Sequence, residues 1–213
     1  MAKYLIHSCN QRQWYVDKYL IPNLISQGIE RENIQIFQDT EQLGNLFAFI
    51  RSLEDLKEDT WHLQDDIILS TTFKKRTEEY DEGIVCGFCS TYTRNFGPGI
   101  RKPRELWCSF PCIRIPNKIA HEFVDWFYKD VIHNPEYRMW VRRKKYDDSL
   151  FRIFLEDNYT DMDILNLAPN IVNHIDYLLG GSVVNNERTE NRVTSIYWEE
   201  QGLLEYWEGR LVR

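Results

Sequence analysis

The sequence has no uninterrupted apolar run approaching the roughly 18 residues of a membrane span. It also has no basic opening segment followed by an apolar one, the pattern of a secretory signal peptide. These two absences argue against a transmembrane helix and against secretion. We therefore expect a soluble, cytoplasmic protein, and 213 residues are enough for a single well-filled domain.

An excess of basic charge is also lacking, because the formal net charge at pH 7 is -7. Proteins that coat nucleic acid without sequence preference need a surplus of Lys and Arg, so this class is disfavoured. Two local basic stretches, 94–104 and 138–145, contain Phe96 and Trp140, whose rings could stack on bases. These stretches leave open that the protein contacts nucleic acid.

Cysteines are few, five in all, and four of them form the pairs Cys86 with Cys89 and Cys108 with Cys112. Both spacings are close to those of a structural zinc site. Both pairs, however, lie in apolar, strand-like runs, where successive side chains point to opposite faces. We expect buried free thiols, with a non-enzymatic, zinc-stapled binding module as the alternative.

The first third of the chain alternates between strand-like and helical patterns. The pattern predicts a strand at 4–8, a helix at 12–27, a strand at 33–37, a helix at 45–56 and a strand ending at 64. Such an order favours parallel strands with right-handed crossovers, and ligands of these sheets bind at the carboxyl ends of the strands. That edge would gather a set of polar residues, namely Ser8, Asn10, Arg12, Asp39 and Asp66.

Two adjacent carboxylates, Asp65 and Asp66, follow the third of these strands. Carboxylates at the lip of a sheet are costly to desolvate unless a cation or hydrogen bonds compensate them. Their oxygens suit hard cations such as Mg²⁺ and Mn²⁺. The alternative is a surface pair that caps a helix beginning near Ser70.

Two further motifs each have a structural and a functional interpretation. Asp147 and Asp148 open a predicted helix, where they would cap it or supply a general base. His174 lies in the apolar run 167–176, where it would be a core residue or a metal ligand.

Taken together, three motifs resemble those of metal-dependent glycosyltransferases of the GT-A type. Leu63-Gln64-Asp65-Asp66-Ile67 is similar to the aspartate motif of that fold, although Gln64 stands where many relatives have an acid. Asp147-Asp148-Ser149-Leu150 is similar to the acidic pair that opens the acceptor-side helix. Pro169-Asn170-Ile171-Val172-Asn173-His174-Ile175 is similar to a late segment of branching N-acetylglucosaminyltransferases.

The resemblance implies a GT-A-like (Rossmann-like) α/β fold, with a mostly parallel mixed sheet and helices on both faces in a single domain. Donor binding would occupy about 1–92 and acceptor binding about 93–185, followed by a tail at 186–213. The implied donor is a nucleotide-sugar, foremost a UDP-sugar, and the implied acceptor is a hydroxyl of a glycan, a protein, a metabolite or a hydroxymethylated base of phage DNA.

The resemblance also implies roles for individual residues. Asp66 and His174 would hold Mn²⁺ or Mg²⁺, Asp65 would contact the ribose or the donor sugar, and Asp147 or Asp148 would be the base of an inverting reaction. A retaining enzyme would not need that base. Ser8, Asn10, Arg12 and Asp39 would complete the donor site.

A nucleotidyltransferase is the alternative enzyme, since it also uses paired carboxylates and Mg²⁺. Such an enzyme normally has a glycine-rich phosphate loop after the first strand, and Ser8-Cys9-Asn10-Gln11 contains no glycine. The sequence therefore favours glycosyl transfer over nucleotidyl transfer.

Overall fold

The structure is a computed structural model that describes residues 2–89, 98–105, 110–143, 147–181 and 197–211. Within these ranges, no helix is both long enough and apolar enough to cross a membrane.

The N-terminal elements follow the order that the sequence predicts. They are β1 (Lys3–Cys9), α1 (13–26), β2 (Ile34–Asp39), α2 (Asn45–Glu54) and β3 (Thr60–Gln64). Helix α1 contains a π-helical turn, Val16–Leu20, and it ends just before Gly28, whose φ of 82° lies in the left-handed region that favours glycine. β1 pairs in parallel with both β2 and β3, so the predicted parallel topology of this half is confirmed.

The remaining elements are short strands and helices. They are β4 (Ile67–Leu69), α3 (Phe73–Glu79), β5 (Ile84–Cys86), β6 (Gly99–Arg101), β7 (Cys112–Ile115), α4 (Asn117–Trp126, continued by the π-helical turn Phe127–Val131), α5 (Arg138–Arg143), α6 (Asp147–Asn158), β8 (Ile164–Asn166), β9 (Val172–His174) and α7 (Gln201–Leu211).

Seven strands form one mixed sheet in the order β2-β1-β3-β7-β5-β8-β6. β7 and β6 pair antiparallel with their neighbours, and the other five strands share one direction. β4 and β9 form a separate antiparallel pair. The α/β class predicted from the sequence, with a mostly parallel mixed sheet, is confirmed.

Helices cover both faces of this sheet because side chains alternate along its strands. On β1, Tyr4 and Ile6 enter one apolar core and Leu5 enters the other. The first core includes residues of α1, α3 and α7, and the second includes residues of α2, α4 and α6. The C-terminal helix α7 thus packs on the same face as α1, through Leu204 and Trp207.

Candidate functional site

The carboxyl edge of the parallel strands holds a buried ion pair. β3 ends at Gln64, and Asp65 and Asp66 occupy the turn that leads into β4. The Asp65 carboxylate accepts a hydrogen bond from the backbone N–H of Cys9 at 3.0 Å and another from Arg12 Nη1 at 3.1 Å. These contacts join the end of β1 to the end of β3.

Asp66 lies at the centre of the site. Its Oδ2 accepts a hydrogen bond from Arg12 Nη1 and lies 3.1 Å from His174 Nε2. Its Oδ1 is buried and accepts no hydrogen bond from any residue that the structure describes. A buried carboxylate oxygen without a partner is costly unless a ligand or water satisfies it. The 3.1 Å contact also shows that Asp66 and His174, which the sequence analysis assigned to one site, are neighbours in the fold.

The small sheet brings His174 to this position. Ile67 of β4 pairs directly with His174 of β9, and the backbone N–H of Ile175 donates to the carbonyl of Asp66 at 2.8 Å. Because these hydrogen bonds set the register, His174 lies beside the residue that follows Asp66 in the chain.

Arg12 is the fixed cation of the site. Besides contacting both carboxylates, it donates from Nη2 to the carbonyl of Gly181 at 2.7 Å, and its side chain is only 6% exposed. It therefore ties the turn after β1 and the Asp pair to the segment that follows β9. Charges this deeply buried persist only when paired and hydrogen-bonded.

The two carboxylates of the pair differ in their affinity for a proton. Burial, together with the neighbouring Asp66 carboxylate, raises the pKa of Asp65 to about 6. Burial would also raise the pKa of Asp66, but the charges of His174 and Arg12 outweigh it and lower that pKa. Asp66 is thus the member of the pair that stays ionised, as a cation ligand must.

Asp176, which sequence reasoning missed, completes the cluster. One ligand atom from each of Asp66, His174 and Asp176 lies within 4.8 Å of the others, and Asp176 is fully buried. Its Oδ1 is 3.4 Å from His174 Nδ1. The spacing His174-Ile175-Asp176 was the available signal, because alternate residues of an extended segment share a face.

The other predicted donor-site residues lie near the ends of β1 and β2. Ser8 is buried, whereas Asn10 is exposed and accepts a hydrogen bond from the Gln38 side chain at 3.2 Å. The Asp39 carboxylate accepts from the backbone N–H groups of Leu43 and Gly44, at 2.9 and 3.3 Å, and so shapes the loop before α2. The ion pairs of Arg12 are with Asp65 and Asp66, whereas the described contacts of Asp39 are with the loop before α2.

Asp147 and Asp148 are the first two residues of α6, as predicted. Both are half-buried, and burial raises the pKa of Asp147 to about 6. Burial, followed by the charge of Asp147, raises the pKa of Asp148 to about 7. Asp148 Oδ1 accepts from the N–H and hydroxyl of Ser149, the next residue, whereas an N-cap accepts from residues two or three positions on.

Among the described residues, no contact of α6 joins its acidic pair directly to Asp66. Its other contacts do place the first turns of the helix close to the same sheet edge. The ring of Phe151 lies 5.6 Å from that of Phe110, and the carbonyl of the next residue, Pro111, accepts a hydrogen bond from the N–H of Gln64 at 3.0 Å. Gln64 immediately precedes the Asp pair.

The described part of the chain contains no cysteine cluster that could hold the zinc ion of the alternative, a zinc-stapled module. Cys86, Cys89 and Cys112 are buried there and form no disulfide with one another, and burial raises the pKa of each thiol. They do not converge on a common metal position. Cys108 lies outside the described residues, as do residues 94–97 and 144–145 of the two basic stretches.

No protein-family model and no curated protein matches this chain. Among solved structures, it is similar to crystal structures of the glycosyltransferase GlyE from Streptococcus pneumoniae TIGR4. The apo form superposes with a TM-score of 0.43 at 13% identity, over 78% of this chain and 45% of that chain. A second GlyE structure gives a TM-score of 0.42 at 12% identity, with the same coverage. This chain thus spans less than half the length of those structures, and we take its function from its own residues.

Proposed function

We propose that this chain is a glycosyltransferase that moves a sugar from a nucleotide diphosphate to an acceptor hydroxyl with the help of a divalent cation. The observation that carries the proposal is the cluster at Asp66, a buried carboxylate whose Oδ2 lies 3.1 Å from His174 Nε2 and whose Oδ1 has no hydrogen-bond partner among the described residues. This cluster lies at the carboxyl edge of three parallel strands, where α/β folds bind their ligands.

The residues present fit a divalent cation. Asp66 and His174 offer a carboxylate and an imidazole, a donor set that suits Mn²⁺, and the Oδ1 atom of Asp66 is available. The carboxylates of Asp65 and Asp66 share one permanently charged partner among the described residues, the guanidinium of Arg12. When bound, the cation would act as a Lewis acid toward the leaving diphosphate.

Donor binding would use the residues at the ends of β1 and β2. Ser8 and Asn10 lie in or just after β1, and Asp39 ends β2, so their polar atoms are suited to the base and ribose. We assign Arg12 to this site through Asp65, whose carboxylate it orients for a ribose or sugar hydroxyl. In this assignment, 1–92 binds the donor and 93–185 contributes the acceptor side.

The acidic pair at the start of α6 would supply the base. A base works best when its pKa is close to the working pH, and the pKa of Asp148 is raised to about 7. Asp148 would take the proton from the acceptor hydroxyl as that oxygen attacks the sugar, which makes the reaction inverting. Asp147, with a pKa raised to about 6, would orient the acceptor.

Ligand-dependent thermal unfolding tests this function. Nucleotide diphosphates and UDP-sugars are added with and without Mn²⁺, because a ligand that binds only the folded state raises its stability by mass action. At 100 times Kd the gain is about 2.7 kcal/mol. For a chain of this size, that corresponds to a rise in Tm of roughly 5 to 10 °C. We expect this rise only when Mn²⁺ is present.

Asp66→Asn and His174→Ala are the informative variants, and Asp163→Asn, at an exposed position, is the control. The first two should lose the Mn²⁺-dependent rise, whereas the control should keep it. If both active-site variants bound the nucleotide with an undiminished Mn²⁺ requirement, the assignment of the cation would be wrong. Transfer to glycan, protein, metabolite and hydroxymethylated DNA acceptors then identifies the second substrate.

A further inference from the structure

Helix α5 presents positive charge that no neighbouring carboxylate neutralises. Its three arginines, Arg138, Arg142 and Arg143, are exposed, and none of them forms an ion pair with a residue that the structure describes. The sequence from 138 to 145 contains five basic residues and no acidic one, although the net charge of the whole chain is -7. Helix α5 is therefore a local basic surface on an acidic protein.

Exposed cations on two other helices are arranged differently. Arg51 of α2, and Lys118 and Lys129 of α4, each pair with a carboxylate three or four positions away. In α5, Arg138 and Arg142 are four positions apart, so one turn of the helix places like charges side by side, which destabilises a helix. An external anion would thus meet no internal carboxylate competing for these arginines.

The first turn of α5 lies beside the end of α6. Tyr137 directly precedes α5, and its pKa is raised by burial and then by the charges of Asp157, Glu136 and Asp130. Asp157 belongs to the last turn of α6. The acidic groups near α5 therefore gather where the helix begins, at the other end from the arginines of its last turn.

The last turn of α5 lies close to the beginning of α6. Arg143 is the last residue of α5, and Asp147 is the first residue of α6. Four successive residues span at most about 14 Å between Cα atoms. The exposed arginines at the end of α5 are therefore near the acidic pair to which we assign the base.

We propose that Arg142 and Arg143 bind the phosphates of a single-stranded nucleic acid and so hold it as the acceptor beside Asp148. Guanidinium groups bind phosphate oxygens through two parallel hydrogen bonds, which suits arginine to this contact. The acceptor hydroxyl would belong to an unpaired base, because a base within a duplex cannot enter an active site. The role as acceptor rests on the proposed function, whereas the binding of the strand is a property of this chain alone.

The surroundings of α5 favour a nucleic acid over a membrane or an acidic protein. A helix that lies on a membrane inserts an apolar face, but Tyr137 and Val141 already pack against the second core of this protein. Trp140, which lies between the arginines in the chain, is only half-buried, and aromatic side chains stack on unpaired bases. An acidic protein partner offers no base for such stacking.

The first measurement is the affinity for a fluorescently labelled single-stranded DNA, by anisotropy, without metal or nucleotide-sugar. Replacing Arg142 and Arg143 together by Gln should reduce the steepness of log K against log salt by about 1.4, which is about 0.7 for each phosphate contact. At 0.1 M salt this corresponds to roughly 25-fold weaker binding. Both arginines are exposed, so the double variant should unfold in urea as the wild type does.

The matched control replaces Lys18 and Lys75 together by Gln. These lysines are exposed on α1 and α3, which pack against the first core, whereas α5 packs against the second. The control changes the net charge by the same amount as the arginine variant. It should leave the affinity for the strand nearly unchanged, because only the arginines contact the phosphates.

The second measurement is sugar transfer to a single-stranded DNA that carries a hydroxymethylated base. The variant lacking Arg142 and Arg143 should show a KM for this DNA raised by a similar factor and a nearly unchanged kcat, because only the binding of the strand is weakened. Its Mn²⁺-dependent rise in Tm with a UDP-sugar should equal that of the wild type. Transfer to a glycan, protein or metabolite but not to this DNA would overturn the acceptor role.

Three outcomes of the binding measurement would overturn the inference. The first is a wild-type protein that binds no single-stranded DNA, and the second is an equal loss of affinity in the arginine variant and the lysine control. The third is arginine-dependent binding to phosphatidylserine vesicles or polyglutamate that is as tight as binding to DNA, which would assign α5 to a membrane or an acidic protein. A protein that binds the strand through its arginines but transfers sugar to no acceptor contradicts the proposed function instead, and the binding surface stands.

Discussion

Arg12 Nη1 and Asp65 Oδ1 lie 3.1 Å apart although 53 positions separate the two residues. Both side chains are at least nine-tenths buried, and the same guanidinium nitrogen also contacts Asp66. This one cation therefore compensates two carboxylates at the centre of the candidate site.

Replacing Arg12 by Met should destabilise the protein strongly, by about 3 to 5 kcal/mol, because it leaves buried carboxylates without their partner. The free energy of unfolding in urea measures the loss. Arg51→Met is the matched control, since Arg51 forms an exposed pair with Glu54 whose loss should cost about 1 kcal/mol or less. Equal losses in the two variants would contradict the importance of the buried pair.

Replacing Asp148 by Asn should reduce sugar transfer by roughly 10²- to 10⁴-fold while donor binding persists, because Asn cannot take up a proton at neutral pH. We expect a smaller effect from Asp147→Asn. A purely capping role predicts instead a loss of a few tenths to about 1 kcal/mol of stability and near-normal turnover. Each variant is assayed for transfer and, separately, for nucleotide-sugar binding. Near-normal transfer in both would rule out the inverting mechanism with this base.

The pH dependence of transfer tests the same residue. With its pKa raised to about 7, Asp148 becomes ionised, and thus competent as a base, as the pH rises through that value. The rate should therefore increase between about pH 6 and pH 8. At the Asp148 carboxyl group, the folded state also binds more protons than the unfolded state between about pH 4 and pH 7. The contribution of Asp148 to the free energy of unfolding therefore falls as the pH rises through that window. A rate that does not change with pH across this range would exclude Asp148 as the base.

Two neighbouring histidines, which pack against Phe49 of α2, should make the fold sensitive to acid. His7 Nε2 lies 3.1 Å from His62 Nδ1, and burial lowers the pKa of His7 to about 4. Burial, followed by the charge of His7, lowers the pKa of His62 as well. The unfolded chain takes up these protons at a higher pH than the folded one, so stability should be lost as the pH falls from about 6.5 toward 4.

The loss at pH 5 should be on the order of 2 kcal/mol from His7, and His62 should add to it in the same direction. Urea unfolding at pH 7.5 and pH 5 measures it for the wild type, for His62→Gln and for His133→Gln, an exposed control. The pH-dependent loss should shrink in His62→Gln and stay the same in the control. An unchanged loss in His62→Gln would show that other groups cause the acid sensitivity.

The C-terminal helix should be an integral part of the fold. The ring of Trp207 lies 5.4 Å from that of Tyr19 and 6.4 Å from that of Tyr15, and Trp207 is 6% exposed. Trp207→Ala should therefore cost about 3 to 5 kcal/mol in urea unfolding. Tyr206→Ala, at an exposed neighbouring position, should change stability by about 0.5 kcal/mol or less. A similarly small effect at Trp207 would mean that α7 is dispensable.

The sequence alone determined the N-terminal order of strands and helices, because apolar periodicity and terminators such as Gly28 act over a few residues. It also determined that Asp65 and Asp66 follow a strand and that Asp147 and Asp148 open a helix. These are local features, and each depends on neighbours within about two helical turns.

Only the tertiary structure decided which of these residues meet. His174 reaches Asp66 because Ile67 pairs with His174 in the small sheet, and a slip of one residue would turn the imidazole to the other face. Asp176 joins the cluster through the turn that follows. The pairing of Arg12 with the Asp pair, and the different pKa shifts of Asp65 and Asp66, likewise depend on burial and on charges that are distant in the chain. Local patterns carry no information about such contacts, because desolvation and Coulomb interactions are set by the surroundings in space.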